Sequence, residues 1–368
     1  KLVSGVEEIM TYHEAYRGDR DRLDYEIDGV VIKVNDLSAR DTMGVTSRHP
    51  RWALALKFEP RKEVTRIERI AVSVGRTGVI TPVALLLPVE VGGVTVSRAT
   101  LHNREELSRK DVREGDLVRV QRAGDVIPQV VERVEEEGRE RAPSFRMPGE
   151  CPACETPVVI KGPFTLCPNR FGCPAQLKKR IVHFGSRGAL DIEGLGEETA
   201  NLLVDRGLIR ELADLFELKS EALTQLPGFA ELSANNLVEA IVARKRVELR
   251  RFLFGLGIPE VGEAVARDLA GHFRSLDAIR EADREALEAV AGIGPRMSQL
   301  IVEFLREEQN ARAIDAVLNQ GMELLVPEEK GARPLEGKKF VFTGSLEALT
   351  RSQARTVVEK AGGKVVSS

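Results

Sequence analysis

All four cysteines fall between positions 151 and 173, as Cys151-Pro-Ala-Cys154 and, after a gap of twelve, Cys167-Pro-Asn-Arg-Phe-Gly-Cys173. Two short thiolate pairs on separate turns can occupy the corners of a tetrahedron, the geometry of a structural zinc site. Gly162-Pro163 would turn the hairpin between them. The second pair has five intervening residues, so the match to ordinary zinc-ribbon spacing is partial, and two disulfides or unpaired thiols are the alternatives. Nothing in the sequence marks secretion, which favours a reducing compartment and hence zinc. Upstream, Lys33 and Lys57 lie in strand-like runs where ammonium groups could neutralise a nucleotide phosphate. Downstream, Gly-rich triplets precede helical patterns, where backbone N–H groups could hold a DNA phosphate. A zinc module between them would pin the chemistry to the grip.

The elements that must position these groups are legible in the periodicity. Period-two alternation over Glu26 to Val34 puts Val30, Ile32 and Val34 on one face and Val31 with Lys33 on the other. Over Ala53 to Phe58, Leu54, Leu56 and Phe58 share a face opposite Lys57. Each strand is expected to bury three apolar residues, and the two side by side would make a bipositive pocket. An edge-strand lysine that only discourages aggregation is the plainer alternative. From about residue 60 to 146 short Val/Ile-rich runs are split by Gly75, Gly78, Gly92-Gly93, Gly115-Asp116 and Gly124-Asp125, the spacing of a small OB-type barrel. Arg119 and Arg122 would give that barrel a positive face for DNA, unless they are ordinary outward residues.

After the cysteines comes an internal repeat. Gly194-Leu195-Gly196, Gly228-Phe229-Ala230, Glu260-Val261-Gly262 and Gly292-Ile293-Gly294 recur at intervals of 34, 32 and 32 residues, each before a helical run. Four helix-hairpin-helix copies are expected, with glycine letting backbone amides approach a phosphate. The third copy carries Glu260 where an anion should go and the second ends in Ala230, so copies one and four should bind phosphate best.

The 368 residues exceed one ordinary core, and 42% hydrophobic with 30% charged residues is globular. No run is long enough to span a membrane. The net charge of -3 is uneven: Lys178-Lys179-Arg180 with Arg187, and Arg244-Lys245-Arg246 with Arg250 and Arg251, read as local basic clusters or as solvated helix faces. Aromatics at 5% argue against base stacking as the main DNA contact. His13, His49, His102, His183 and His272 are scattered and mark no catalytic or metal cluster.

Asp28-Gly29-Val30-Val31-Ile32-Lys33, followed further on by Lys57 in Ala-Leu-Lys-Phe, resembles the fourth and fifth nucleotidyltransferase motifs of bacterial NAD+-dependent DNA ligases. Gly75-Arg76-Thr77-Gly78, Ala99-Thr100-Leu101-His102-Asn103 and the run Arg122 to Gln129 resemble that family's OB-fold signatures, and the cysteine quartet its zinc module. Leu335 to Gly344, with a helical run from Arg351 to Ala361 and Gly362 to Val366, resembles the first β-α-β part of a BRCT domain. The resemblance implies a multidomain α+β chain: the C-terminal part of an adenylation (nucleotidyltransferase) domain over 1–60, an OB-fold β-barrel over 61–148 and a four-cysteine zinc finger over 149–176. An all-α helix-hairpin-helix domain over 177–326, a linker over 327–334 and a partial BRCT α/β segment over 335–368 would follow.

It also implies roles. NAD+ would donate AMP, Lys33 and Lys57 would neutralise the transferring phosphoryl group with Mg2+ or Mn2+, and Asp28 would position Lys33 or a metal. Arg20 would touch the nucleotide or the nick, or be a solvated loop arginine. Cys151, Cys154, Cys167 and Cys173 would hold structural Zn2+. Arg119, Arg122, Gly194, Gly196, Gly228, Gly292 and Gly294 would contact nicked double-stranded DNA. The implied protein is a bacterial, cytoplasmic, nucleoid-associated monomer that seals nicks through enzyme-AMP and DNA-AMP intermediates. One departure is large: the family's nucleophile sits in Lys-x-Asp-Gly, and no such tetrapeptide occurs here, Glu26-Ile27-Asp28-Gly29 carrying Glu at that place. That reads as a ligase fragment, inactive alone in self-adenylation. A non-catalytic nicked-DNA-binding module is the alternative; a repair nuclease leaves the lysines and zinc without a role.

Overall fold

The computed structural model describes all residues except 47–48, 124–126, 139, 327–334, 336–337, 342–353, 355–356, 359–363 and 366–368. The chain opens with helix α1 (Gly5–Asp19), which the strand patterns after it did not announce. Its sequence has no apolar stripe, and His13 is the residue it buries. Strands β1 (Gly29–Lys33) and β2 (Ala53–Lys57) flank helix α2 (Leu37–Met43), whose N-cap Asp36 accepts the amides of Ser38 and Ala39. The strands pair antiparallel, with Gly29 opposite Lys57 and Lys33 opposite Ala53. Three buried apolar residues per strand was too many. Phe58 is buried, but Leu54 is 65% exposed, because this sheet has two strands and α1 packs on it at β1.

A closed five-stranded barrel follows, formed by β3 (Lys62–Val74), β4 (Val79–Val91), β5 (Val94–Thr100), β6 (Leu117–Ala123) and β7 (Ile127–Val134), with helix α3 (Arg104–Lys110) between β5 and β6. The order β3-β6-β7-β5-β4 closes because the long β3 pairs with β6 over Lys62–Arg66 and with β4 over Ile67–Val74. Alternation supplies the core, in which Ile67, Ala84, Leu86, Val118, Val120 and Val130 point inward. Closure leaves the barrel strands no open edge. The turn at Gly124-Asp125 lies outside the described residues; Gly92 and Gly93 turn β4 into β5 with φ +56° and +71°.

The cysteine region is an extension of this barrel. Strands β8 (Val159–Lys161) and β9 (Phe164–Leu166) form a hairpin through Gly162, and β9 pairs with β4 at Val79↔Leu166 and Ile80↔Thr165. Gly78, at φ +85°, sits where a Cβ would meet the Cys167 carbonyl at 2.4 Å. Helix α4 (Pro174–Phe184) starts directly at Cys173, its N-cap.

From α4 the chain is helical: α5 (Glu197–Asp205), α6 (Ser220–Leu223), α7 (Glu231–Ala243), a short strand β10 (Arg246–Glu248), α8 (Leu249–Leu256), α9 (Glu263–Phe273), α10 (Leu276–Glu281), α11 (Arg284–Glu288), α12 (Pro295–Arg306) and α13 (Glu308–Leu318). Strand β11 (Glu323–Leu325) returns to pair parallel with β10. One hydrophobic cluster runs from Leu177 to Val317, so the hairpin copies share a single core. The expected linker 327–334 and most of the BRCT-like segment lie outside the described residues; β12 (Lys339–Phe340) pairs parallel with β13 (Lys364–Val365).

Candidate nucleotide and nucleic-acid interface

The β1–β2 ribbon brings Lys33 and Lys57 to one face. Four residues separate them along the ribbon, about 13 Å at the rise of a strand. Asp28 pairs with Lys57, its Oδ2 2.8 Å from Nζ, and not with Lys33. The hydrogen bond from Lys57 holds the Asp28 carboxyl below its usual range, with Arg20 adding a weaker pull. The Arg20 guanidinium lies 5.7 Å from the centre of the Phe58 ring. His13 also packs on that ring, 4.8 Å between centroids, with Nε2 3.4 Å from the Lys57 carbonyl oxygen. Scattered in sequence, His13 thus backs the lysine strand; with α1 not foreseen, nothing in the sequence singled it out. Gly29 also matters. A Cβ there would meet the Leu56 carbonyl at 2.4 Å and the Lys57 Cα at 2.6 Å, so only glycine lets the strands close at the lysine.

The cysteines converge. All four Sγ atoms lie within 4.8 Å of one another, with Cys154–Cys167 at 3.5 Å and Cys151–Cys173 at 3.9 Å. A tetrahedral zinc tetrathiolate with bonds of about 2.3 Å has edges of about 3.8 Å, so the donor set fits zinc. None is in a disulfide. Burial pushes the Cys167 thiol up to about 12, the penalty that a dication at the centre would reverse by favouring thiolate. Val74 and Ile80 of the barrel pack against three of these cysteines.

The hairpin tips fall in the expected register. Gly194, Gly228 and Gly292 have φ +81°, +86° and +87°, left-handed positions that glycine occupies without strain. Gly196 and Gly294 are the N-caps of α5 and α12 at ordinary φ of -85° and -98°. A Cβ at either would touch nothing within 4 Å. Neither backbone nor packing therefore calls for glycine there, which leaves close approach from outside as the physical use. In the second copy the Ala230 amide is already donated to Ser233 Oγ at 2.9 Å.

Much of the basic charge is spent internally. Lys178 pairs with Asp205 at 2.6 Å, Lys179 with Glu197, Arg244 with Asp191 at 3.2 Å and Arg246 with Glu323 at 3.2 Å. Arg180 is not a surface cation. Helical spacing puts it on the buried stripe of Leu177, Ile181 and Phe184, over the Phe171 ring at 4.1 Å. On the barrel, Arg119 pairs with Glu132 at 2.9 Å, and Arg122 donates to the Gly92 carbonyl at 3.0 Å. Arg76, in the β3–β4 turn, reaches the helical domain, lying so close over Gly257 that a Cβ there would collide with Nη1. Barrel and helices therefore touch directly, and the cysteine region is not their sole joint.

Comparison with known proteins matches these units one by one. The profile of the NAD-dependent DNA ligase adenylation domain covers residues 1–61, and that of the NAD-dependent DNA ligase OB-fold domain covers 64–142. A SAM-like helix-hairpin-helix tandem covers 186–242 and a helix-hairpin-helix motif 251–314. The chain is 48% identical over 366 residues to a DNA ligase of Salinibacter ruber, covering 99% of this chain and 53% of that one. It is 48% identical to a DNA ligase of Haloquadratum walsbyi and 47% identical to one of Alkalilimnicola ehrlichii, covering 100% of this chain and 49% and 55% of theirs. The chain thus spans about half the length of the curated relatives it matches. Among the described residues no helix is long and apolar enough to cross a membrane.

Proposed function

Because the chain belongs to the NAD-dependent DNA ligase family, we propose that it serves the NAD+-dependent sealing of nicks in duplex DNA, in replication and repair in the bacterial cytoplasm. In that reaction a lysine attacks the α-phosphate of NAD+ and NMN leaves. AMP passes to the 5′-phosphate of the nick, and the 3′-hydroxyl displaces it. The observation that carries this reading is the Asp28–Lys57 pair at 2.8 Å with Lys33 on the same ribbon face. Lys57, oriented by Asp28, and Lys33 offset charge on the transferring phosphoryl group; Mg2+ or Mn2+ supplies further Lewis acidity when bound. Arg20 steadies the nucleotide from the Phe58 side. The hairpin amides at Gly194, Gly196, Gly228, Gly292 and Gly294 take DNA phosphates, and on the barrel Arg119 and Arg122 exchange their partners, Glu132 and the Gly92 carbonyl, for the duplex backbone. The unit acts as a monomer.

The lack of a Lys-x-Asp-Gly tetrapeptide favours a second reading for these 368 residues taken alone, a non-catalytic module that grips nicked DNA. Incubation with NAD+ and Mg2+ followed by mass spectrometry should show no AMP adduct on any lysine. Duplex binding should persist, falling steeply with salt and varying little with sequence. Bulky substitution of Gly196 or Gly294 should weaken binding more than the same change at Ala230. A stable adduct would remove the module reading, and salt-insensitive, sequence-selective binding would remove the hairpin assignment.

A further inference from the structure

The third hairpin departs from the others at one residue. Its tip places Glu260 in the left-handed region at φ +62°, where the other three tips carry glycine. A side chain there crowds its own backbone, so glycine is the ordinary residue at such a tip. The Glu260 carboxylate reaches the neighbouring hairpin, its Oε1 2.8 Å from Arg296 Nη2. Arg296 is the second residue of α12, just after the N-cap Gly294, and its side chain is 84% exposed.

The first turns of the four hairpin helices differ in sign. Glu197 and Glu198 open α5, Glu231 opens α7 and Glu263 opens α9, whereas α12 opens with Pro295 and Arg296 and no acid. A carboxylate near a helix start competes with any outside anion for the same field, and an arginine adds to it. Of the four, the fourth start is the most favourable to a phosphate, and Glu260 is the acid that faces it.

We propose that Arg296 is a DNA-backbone contact and that Glu260 is its built-in competitor, a carboxylate that holds the guanidinium in the free chain and yields it to a phosphate of the duplex. The proposal rests on the hairpins holding DNA. An exposed ion pair is weak in water, so the exchange costs little, while the guanidinium fork matches phosphate at least as well as carboxylate. The third tip then acts as a gate on the fourth.

The test is anisotropy titration of the 368-residue chain with a fluorescent nicked duplex over a salt series. Absence of salt-dependent binding by the unaltered chain would reject the hairpin reading itself, whatever Glu260 does. Given binding, Glu260→Gln should tighten it about three- to fivefold, the scale of freeing one exposed ion pair. Arg296→Ala should weaken it by a similar factor and lower the log affinity–log salt slope by about 0.9, one phosphate contact. Glu260→Gly, which restores the residue of the other tips, should also tighten binding, and in Glu260→Gln/Arg296→Ala the gain should vanish. Unchanged affinity and slope in Arg296→Ala, or a Glu260→Gln gain that survives without Arg296, overturns the proposal.

Discussion

Lys57 is held from two sides, its ammonium by Asp28 at 2.8 Å and its backbone by the close approach of Gly29. Such a preorganised cation acts on developing charge without first having to find its place. In a ligase that carries these residues with a complete adenylation domain, Lys57→Ala and Lys33→Ala should each slow phosphoryl transfer by about 10²-fold or more. Asp28→Asn, which leaves the ammonium but loosens it, should slow it less. Melting temperatures should stay near that of the parent, because Lys33, Lys57 and Asp28 are all largely exposed; single-turnover kinetics on pre-adenylated enzyme and on nicked DNA already carrying the 5′-AMP separate the steps. Near-normal ligation by both lysine variants would leave them as surface residues. The lysines, the Asp-Gly pair and the cysteines were readable as residue types at fixed spacings. That Asp28 serves Lys57 and not Lys33 was not, since the antiparallel register that sets Gly29 against Lys57 is a property of two strands with a helix between them in sequence.

At the scale of elements, α4 is where the barrel, the cysteine cluster and the helices meet. Its His183 ring donates from Nε2 to the Phe254 carbonyl at 2.8 Å and packs on the Phe254 ring. Burial, and then the nearby Arg76 charge, pushes the His183 pKa below its ordinary value. The unfolded chain therefore takes up this proton before the folded one does. The contribution of His183 to stability is in place above the ordinary histidine value, about 6.5, and is lost as pH falls through the depressed one. Thermal melts from pH 7 to 5 should show the helical domain losing stability, and His183→Gln, which can still donate to Phe254, should flatten that part of the profile. An identical pH profile in the variant would assign the loss to other groups. Sequence read Lys178-Lys179-Arg180 as a basic cluster or a solvated helix face, whereas the 3.6-residue period of α4 turns Arg180 inward.

In the whole molecule, zinc is expected to brace a joint that other contacts also hold. Cys173 caps α4 while the Cys167 amide donates to the Gly78 carbonyl of the barrel at 2.8 Å. Metal analysis of protein purified without chelator should find one zinc per chain. Chelation should expose the β8–β9 hairpin and the start of α4 to hydrogen exchange while the barrel core and the helical core stay protected, since each has its own hydrophobic cluster. Collapse of either core on chelation, or no zinc at all, would contradict this.

The chain's composition of units was settled by local chemistry. Alternation made the barrel strands, regularly recurring glycines made the hairpins, and four thiols between positions 151 and 173 made the cysteine cluster, because each depends on neighbours in sequence. What only the tertiary structure decided is how charge is spent. Arg119, Lys178, Lys179, Arg244 and Arg246 each meet a carboxylate that a run of basic letters cannot reveal. Arg76 crosses from the barrel to Gly257, and Glu260 reaches Arg296 across two hairpins, for the same reason: an ion pair or a close contact is fixed by distance in space, and distance in space follows from packing the cores together.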